Sequence, residues 1–287
     1  MSRPVVFVLK DDDTQLQEAA RELIAYCQKN DLVCTISDDA YATALNIETF
    51  DAQKHESPLL IVTLGGDGTL LRAVRLFQEY QAPFLGVKMG KLGFLTGATL
   101  PCAKLALDRV FDGTACVEKR NFVHIRVFKN DECISEERAL NEVVIGRASH
   151  APLITARLAI NGHALYTSSG DGLIVSTSTG STAYALSAGG PIMSPEYAGL
   201  VVVPLASHTL IQRAVVTAPQ EMITIDFPDE SRALVELTFD GIEAQQYDKP
   251  QRIEIVSAQE HISLIKLDNR LFYDTVAAEF FRGQQEG

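Results

Sequence analysis

Apolar positions in the first hundred residues follow two alternating periods. Val5 to Leu9 is a short β-branched run, and Leu16, Ala19, Ala20, Leu23, Ile24 and Cys27 then recur at the spacing of one helical face. Leu59 to Leu64 is a second apolar run, Leu70, Leu71, Val74 and Phe77 line a second helix, and Phe84 to Val87 is a third strand. Strands separated by helices of this length predict parallel pairing through right-handed crossovers. After residue 120 the period becomes two: Val123, Ile125 and Val127 alternate with polar residues, and Ile154, Ala156, Leu158 and Ile160 run into Asn161-Gly162, the dipeptide of a type I′ hairpin turn. Strands are expected at Val143 to Ile145, Val201 to Val203, Val215 to Thr217, Met222 to Phe227, Ala233 to Phe239, Arg252 to Val256 and Ile262 to Lys266, and a helix at Thr275 to Phe281. The fold class is an α/β N-terminal domain followed by a mostly antiparallel β-sandwich. The expected boundaries are 1–100 and 101–267, with a C-terminal helix at 268–287 returning to the first domain.

Composition narrows the function without naming it. At 287 residues and 46% hydrophobic the chain can bury two cores. A net charge of -12 excludes a duplex-binding surface, which needs clustered Lys and Arg, so no nucleic-acid partner is expected. The apolar runs are too short for a membrane helix, and no basic-then-apolar leader opens the chain, so a cytoplasmic protein is expected. Five cysteines without a CxxC pair predict reduced thiols, and six histidines without HExxH spacing give no protein-held zinc site.

Two segments carry chemistry. In the first, the strand Leu59 to Leu64 ends in Gly65-Gly66-Asp67-Gly68-Thr69, with Thr69 expected to cap the next helix. Glycines that admit close backbone approach, placed before a helix N-terminus, make a phosphate cradle. The loop lacks the Lys of a Walker motif, and Leu71 stands where the dinucleotide fingerprint has its third glycine. Asp67 is the anomaly, because a carboxylate repels phosphate unless it accepts a proton, holds a metal or bonds a hydroxyl. A turn aspartate bonding its own loop is the plainer alternative. The second segment, Ser168 to Pro191, passes through Thr177-Ser178-Thr179-Gly180-Ser181-Thr182, where hydroxyls and amides are expected to converge on ribose and phosphate oxygens.

Gly65-Gly66-Asp67-Gly68-Thr69, Leu92-Gly93-Phe94-Leu95, Asn141-Glu142, Thr179-Gly180-Ser181-Thr182-Ala183-Tyr184 and Gly189-Gly190-Pro191 together resemble the NAD kinases, in order and spacing along nearly the whole chain. The glycine-aspartate loop alone is shared with lipid and sphingoid kinases, whereas the Thr-Gly-Ser-Thr-Ala-Tyr segment is far more specific. The resemblance implies transfer of the terminal phosphate of ATP, with a divalent cation such as Mg2+, to the 2′-hydroxyl of the adenosine ribose of NAD. It implies Asp67 as the catalytic base, Gly68 keeping the approach open, and Arg72 reaching donor phosphates. Asn141 and Glu142 would bind ribose hydroxyls, Asp171 the nicotinamide end, and Thr182, Ala183, Tyr184, Ala185, Leu186 and Ser187 the adenine side. Phe94 stacks on a base or fills the core. A homodimer or homotetramer is implied, in which Asp171 serves a neighbouring subunit. Lys88, Pro152, Ser178 and Ile242 depart from the common family residues. A lipid or sphingoid kinase and a catalytically weak NAD(P)-binding sensor are the alternatives, and the hydroxyl-rich Ser176 to Ser187 stretch argues against a lipid tail.

Overall fold

The computed structural model describes residues 3–10, 13–149, 151–207, 212–228, 234–248, 250–267 and 272–281. Asp11, Asp12, His150, His208, Ala233 and the expected C-terminal helix at 268–271 and 282–287 lie outside the described residues. The chain divides into two compact units, Met1–Lys119 with Ile262–Gly287, and Arg120–His261.

In the first unit, strands β1 (Val5–Leu9), β2 (Cys34–Ile36), β3 (Glu48–Thr49), β4 (Leu60–Leu64) and β5 (Phe84–Lys88) form a parallel sheet in the order β3-β2-β1-β4-β5. The helices between them are α1 (Thr14–Lys29), α2 (Asp39–Leu45) and α3 (Asp67–Phe77). β1 and β4 are buried at every residue, as expected for parallel strands covered on both faces. On one face Val5, Phe7 and Leu9 meet Leu16, Ala20, Leu23 and Ile24 of α1 and Ala106 and Leu107 of α4 (Ala103–Phe111), a helix that follows the short strand β6 (Ala98–Thr99). Asp13 starts α1 by accepting the Leu16 N–H at 3.2 Å. Strand order reverses between β1 and β4, the switch point at whose carboxyl ends open α/β sheets bind ligands.

The second unit is a sandwich of antiparallel strands. One sheet runs β14 (Val215–Val216), β13 (Val201–Leu205), β12 (Gly172–Ser176), β9 (Glu142–Arg147), β16 (Leu234–Phe239), β17 (Glu243–Asp248). The other contains β11 (His163–Gly170), β10 (Ile154–Ile160), β15 (Ile223–Asp226) and β18 (Arg252–Lys266), with β7 (Cys116–Lys129) and β8 (Glu132–Ala139) beyond. Alternate residues of both sheets, among them Val123, Ile125, Leu158, Ile223 and Ile253 facing Val143, Ile145, Val175 and Leu237, fill one core. β12 is buried on both faces, because Ile174 lies in a separate cluster with Ala185, Met193, Val201 and Val203 around α5 (Tyr184–Ser187). The Asn161-Gly162 turn forms as expected, with φ of 49° and 78°.

Three element expectations change. Arg252 to Val256 and Ile262 to Lys266 are one strand, because the exposed Gln259-Glu260-His261 interrupts the apolar pattern without breaking the backbone. Helix α3 begins at Asp67 with Gly66 as its cap, so Thr69 lies inside the first turn rather than capping it. The C-terminal helix is α6 (Phe272–Val276) followed by a π-helical turn at Ala277–Phe281. No helix among the described residues is long and apolar enough to cross a membrane.

Candidate active site

The carboxyl ends of β1, β4 and β5 converge on a cleft of about 560 Å³ lined by Lys10, Gly65, Gly66, Gly68, Thr69, Arg72 and Lys88, with Asp13, Leu16, Met89 and Gly90. Gly65 is forced by packing: a Cβ there would run into the Thr69 hydroxyl and meet the Lys10 side chain at 3.1 Å. At Gly68 a Cβ would meet nothing within 4 Å, so this residue opens onto free space. In the first turn of α3 the Thr69 N–H already donates to the Gly66 carbonyl at 3.1 Å, which leaves the Asp67 and Gly68 amides at the positive dipole end without an acceptor inside the helix. Three cations, Lys10, Arg72 and Lys88, line the same cleft. The Arg72 guanidinium is anchored on the Leu9 carbonyl.

Asp67 does not bond its own loop. Its carboxylate reaches the segment after β5, accepting the N–H of Phe94 on Oδ2 at 3.1 Å and the N–H of Leu95 on Oδ1 at 3.4 Å. Gly93 makes this approach possible, because a Cβ there would sit 2.5 and 2.6 Å from the two carboxylate oxygens. The Phe94 ring packs against Phe272 and lies stacked on Phe280 with centroids 5.9 Å apart, so one of its faces is already engaged by the chain's own C-terminal segment.

In the second unit Asn141 and Glu142 are both buried, and Asn141 Oδ1 and Glu142 Oε2 have no hydrogen-bond partner. Asp240, in the left-handed region at φ 51°, turns its carboxylate onto three successive amides, those of Leu140, Asn141 and Glu142, at 2.8, 2.6 and 3.2 Å. Burial, and secondarily the Asp240 charge, push the Glu142 carboxyl up to about 8. Glu142 therefore keeps its proton to a higher pH than an ordinary carboxyl, and in that form it can donate a hydrogen bond as well as accept one.

The hydroxyls of the Thr177 to Thr182 turn do something other than await a ligand. Ser176 Oγ donates to the Asn141 carbonyl, Thr177 Oγ1 to Leu140, Ser181 Oγ to Ser178 and Thr182 Oγ1 to Thr179. The first two fasten the turn to the backbone of Leu140 and Asn141, the last two brace the turn internally, and Gly180 is required because a Cβ would run into the Asn141 carbonyl. Ala185 is wholly buried with Ile174 and Val203, Leu186 is half-buried, and Ser187 is exposed. Asp171 and Tyr184 share a second cleft of about 510 Å³, also lined by Arg147, Glu236 and Thr238. There the Arg147 Nε meets Asp171 Oδ1 at 2.7 Å. Half-buried Thr182 and Ala183 precede Tyr184.

The structure thus gathers Asp67, Gly68 and Arg72 in one unit, and Asn141 with Glu142 and Asp171 with Tyr184 in the other. Sequence reasoning missed Lys10, Arg147 and Asp240 and treated Lys88 only as a departure. A lysine directly after β1 and another ending β5 were the signal available for the first cleft. Asp240 was hidden in an Asp-Gly turn.

The chain matches known proteins along most of its length. Residues 5–115 match the ATP-NAD kinase N-terminal domain and residues 140–267 the ATP-NAD kinase C-terminal domain. It is 36% identical over 214 residues, 75% of each chain, to the NAD kinase of Thermoanaerobacter sp. (strain X514). It is 35% identical over 272 residues, 90% of each chain, to the NAD kinase of Alcanivorax borkumensis. Among solved structures, yeast NADH kinase complexed with NADH shares its fold, with a TM-score of 0.88 at 24% identity over 100% of this chain and 89% of that one. With both domain families matched in order and relatives aligned over nine-tenths of its length, the chain belongs to the NAD kinase family.

Proposed function

We propose that this chain transfers the terminal phosphate of ATP to the 2′-hydroxyl of the adenosine ribose of NAD, giving NADP and ADP. The observation that carries the reading is the Asp67 carboxylate, held by two amides from another loop and set in the chain between Gly66 and Gly68, which line a cationic cleft. Such a carboxylate is unfavourable beside a triphosphate unless it takes a proton, and the acceptor hydroxyl supplies one. The new O2′–P bond forms as the bond from that phosphorus to the β-phosphate oxygen breaks, while the hydroxyl proton passes to Asp67. General-base assistance of this kind contributes about 10²- to 10⁴-fold. Gly68, Lys10, Arg72 and Lys88 surround the donor phosphates.

On the acceptor side, the unpartnered Asn141 Oδ1 and Glu142 Oε2 suit the vicinal hydroxyls of a ribose. Asp171 takes the nicotinamide end, and Thr182 to Ser187 take the adenine side, with Tyr184 presenting an exposed ring. Phe94 borders the base with its remaining face. No group of three or more metal-ligating side chains occurs among the described residues, and the cleft offers amides and cations rather than a carboxylate cage. Such groups are partners for phosphate rather than for a metal, so a divalent cation would be held mainly by ATP itself and would supply neutralisation of the phosphate charge.

The working form is a dimer or tetramer. β11 lies at a sheet edge, and its Leu165 and the Leu153 that precedes β10 are 47% and 40% exposed, a pairing hazard that a second copy would cover. Five free thiols suit the cytoplasm. The test is NADP formation from ATP, magnesium and NAD, with Asp67→Asn expected to fold and bind NAD without turnover. No product with any divalent cation or phosphate donor refutes the activity, and a fully active monomer in sedimentation refutes the assembly.

A further inference from the structure

Asp67 is aimed by a peptide that is itself held from the far end of the chain. Lys266, the last residue of β18, donates from Nζ to the Phe94 carbonyl at 3.1 Å and to the Thr96 carbonyl at 3.0 Å. The Phe94 carbonyl and the Leu95 N–H belong to one planar trans peptide and point in opposite directions. The group that Lys266 grips therefore fixes the direction of the N–H that Asp67 accepts. An ammonium on the carbonyl also polarises the unit, which strengthens the donor on its other side. Thr96 Oγ1 accepts the Gly93 N–H at 2.7 Å, tying the Gly93 approach into the same clamp.

Several contacts make Lys266 a fixed point. The Leu267 N–H donates to the Gly97 carbonyl at 3.1 Å, and Leu264 is registered with Phe84 of β5. Gly97 admits the strand closely, since a Cβ there would run into the Ile265 carbonyl. The same loop is held on its other side by the Phe94 ring against Phe272 and Phe280.

We infer that Lys266 is a positioning residue for Asp67, acting through the Phe94–Leu95 peptide. The inference rests on Asp67 being the base. Lys266→Met strands two carbonyls and frees the peptide to rotate, so Asp67 loses its bearing while the donor and acceptor surfaces are left in place. A displacement of the base by about 1 Å costs about 100-fold in rate.

The experiment combines kinetics with amide signals of protein labelled with ¹⁵N at Phe and Leu. In Lys266→Met the Phe94 and Leu95 amide protons should move from their wild-type positions toward those of Asp67→Ala. kcat should fall about 10- to 100-fold with KM for ATP and NAD within about twofold, and Lys266→Arg should restore both. Lys266→Gln gives the same reading if the Met variant does not fold. Amide signals unmoved in these variants, or kcat within about twofold of wild type, overturn the inference. Full turnover by Asp67→Asn instead removes the base assignment, and the inference falls with it.

Discussion

Gly93→Ala is the sharpest perturbation the candidate site permits, because it adds one methyl group and no charge. That Cβ would lie 2.5 and 2.6 Å from the Asp67 carboxylate oxygens, whereas ordinary contact begins at 3.4 Å. The carboxylate must then retreat by about 0.8–0.9 Å, since the Gly93 backbone is tied to Thr96 and a contact that short is strongly repulsive. From 3.1 and 3.4 Å, such a retreat carries both amide bonds beyond hydrogen-bonding range. Hydrogen bonds to a charged group are worth about 1.5–3 kcal/mol each, and the half-buried setting places the combined loss toward the lower end. The stability cost is therefore about 3 kcal/mol. The larger effect is on rate, where misplacing a general base by this distance costs about 100-fold in kcat. Initial rates of NADP formation at saturating ATP and NAD, read beside thermal unfolding, test this. If Gly93→Ala folds and turns over within threefold of wild type, the aimed carboxylate is not what limits the chemistry.

Glu142 gives a pH signature. Its carboxyl stands at about 8 in the folded chain against an ordinary 4.5, so between those values the folded state holds a proton that the unfolded state has released, and stability falls as pH rises through this window. Urea unfolding from pH 5 to 8.5 should show that decline, and Glu142→Gln should flatten it; equal slopes in both proteins exclude Glu142 as its source. Asp240→Ala strands the amides of Leu140, Asn141 and Glu142 and should destabilise the chain by about 3–5 kcal/mol in the same assay, with a loss below 1 kcal/mol arguing against the amide clasp. Lys88→Met should raise KM for ATP about tenfold with KM for NAD unchanged, and an unchanged ATP KM removes Lys88 from the donor site. The Arg147–Asp171 pair, with side chains 40% and 47% exposed, is screened by water, so Arg147→Gln should cost under about 1 kcal/mol in stability while altering KM for NAD, and unaltered NAD kinetics would separate this cleft from the acceptor.

Much of this architecture is legible in the sequence because local pattern and global fold agree. The continuous runs at Val5–Leu9 and Leu60–Leu64 announce parallel strands buried on both faces, and Asn161-Gly162 announces its turn. Short strands such as Glu48–Thr49 escape because two residues carry no period. β18 is misread as two strands because an exposed polar triplet looks like a loop. At the candidate site the glycine-aspartate loop is readable because glycine and carboxylate have few reasons to alternate there. The groups that orient it are not, since Lys266 acts across 172 residues and Asp240 across 100. The hydroxyls of Ser176 and Thr177 are harder to read, because residue types suited to a ligand are equally suited to stitching a buried turn to its neighbouring strand.

The position of Asp67 resolves the conflict between a carboxylate and an anion cradle. At the first residue of α3 a negative side chain is favoured by the helix dipole, and the obvious partners are the first-turn amides themselves. Had Asp67 folded back onto those amides, it would have consumed the donors that a phosphate needs. Gly93 lets it cross to the Phe94 and Leu95 amides instead, which leaves the amides at the start of α3 unclaimed by Asp67, where Gly68 lines the cleft with Lys10, Arg72 and Lys88. The carboxylate is thus stabilised by a second, separate set of donors. Because neither Phe94 nor Leu95 is among the described residues that line the cationic cleft, binding a triphosphate there need not break the bonds that hold the proposed base. A base aimed independently of the donor keeps its direction through successive turnovers, whereas one bonded to the cradle would have to be displaced each time phosphate arrived.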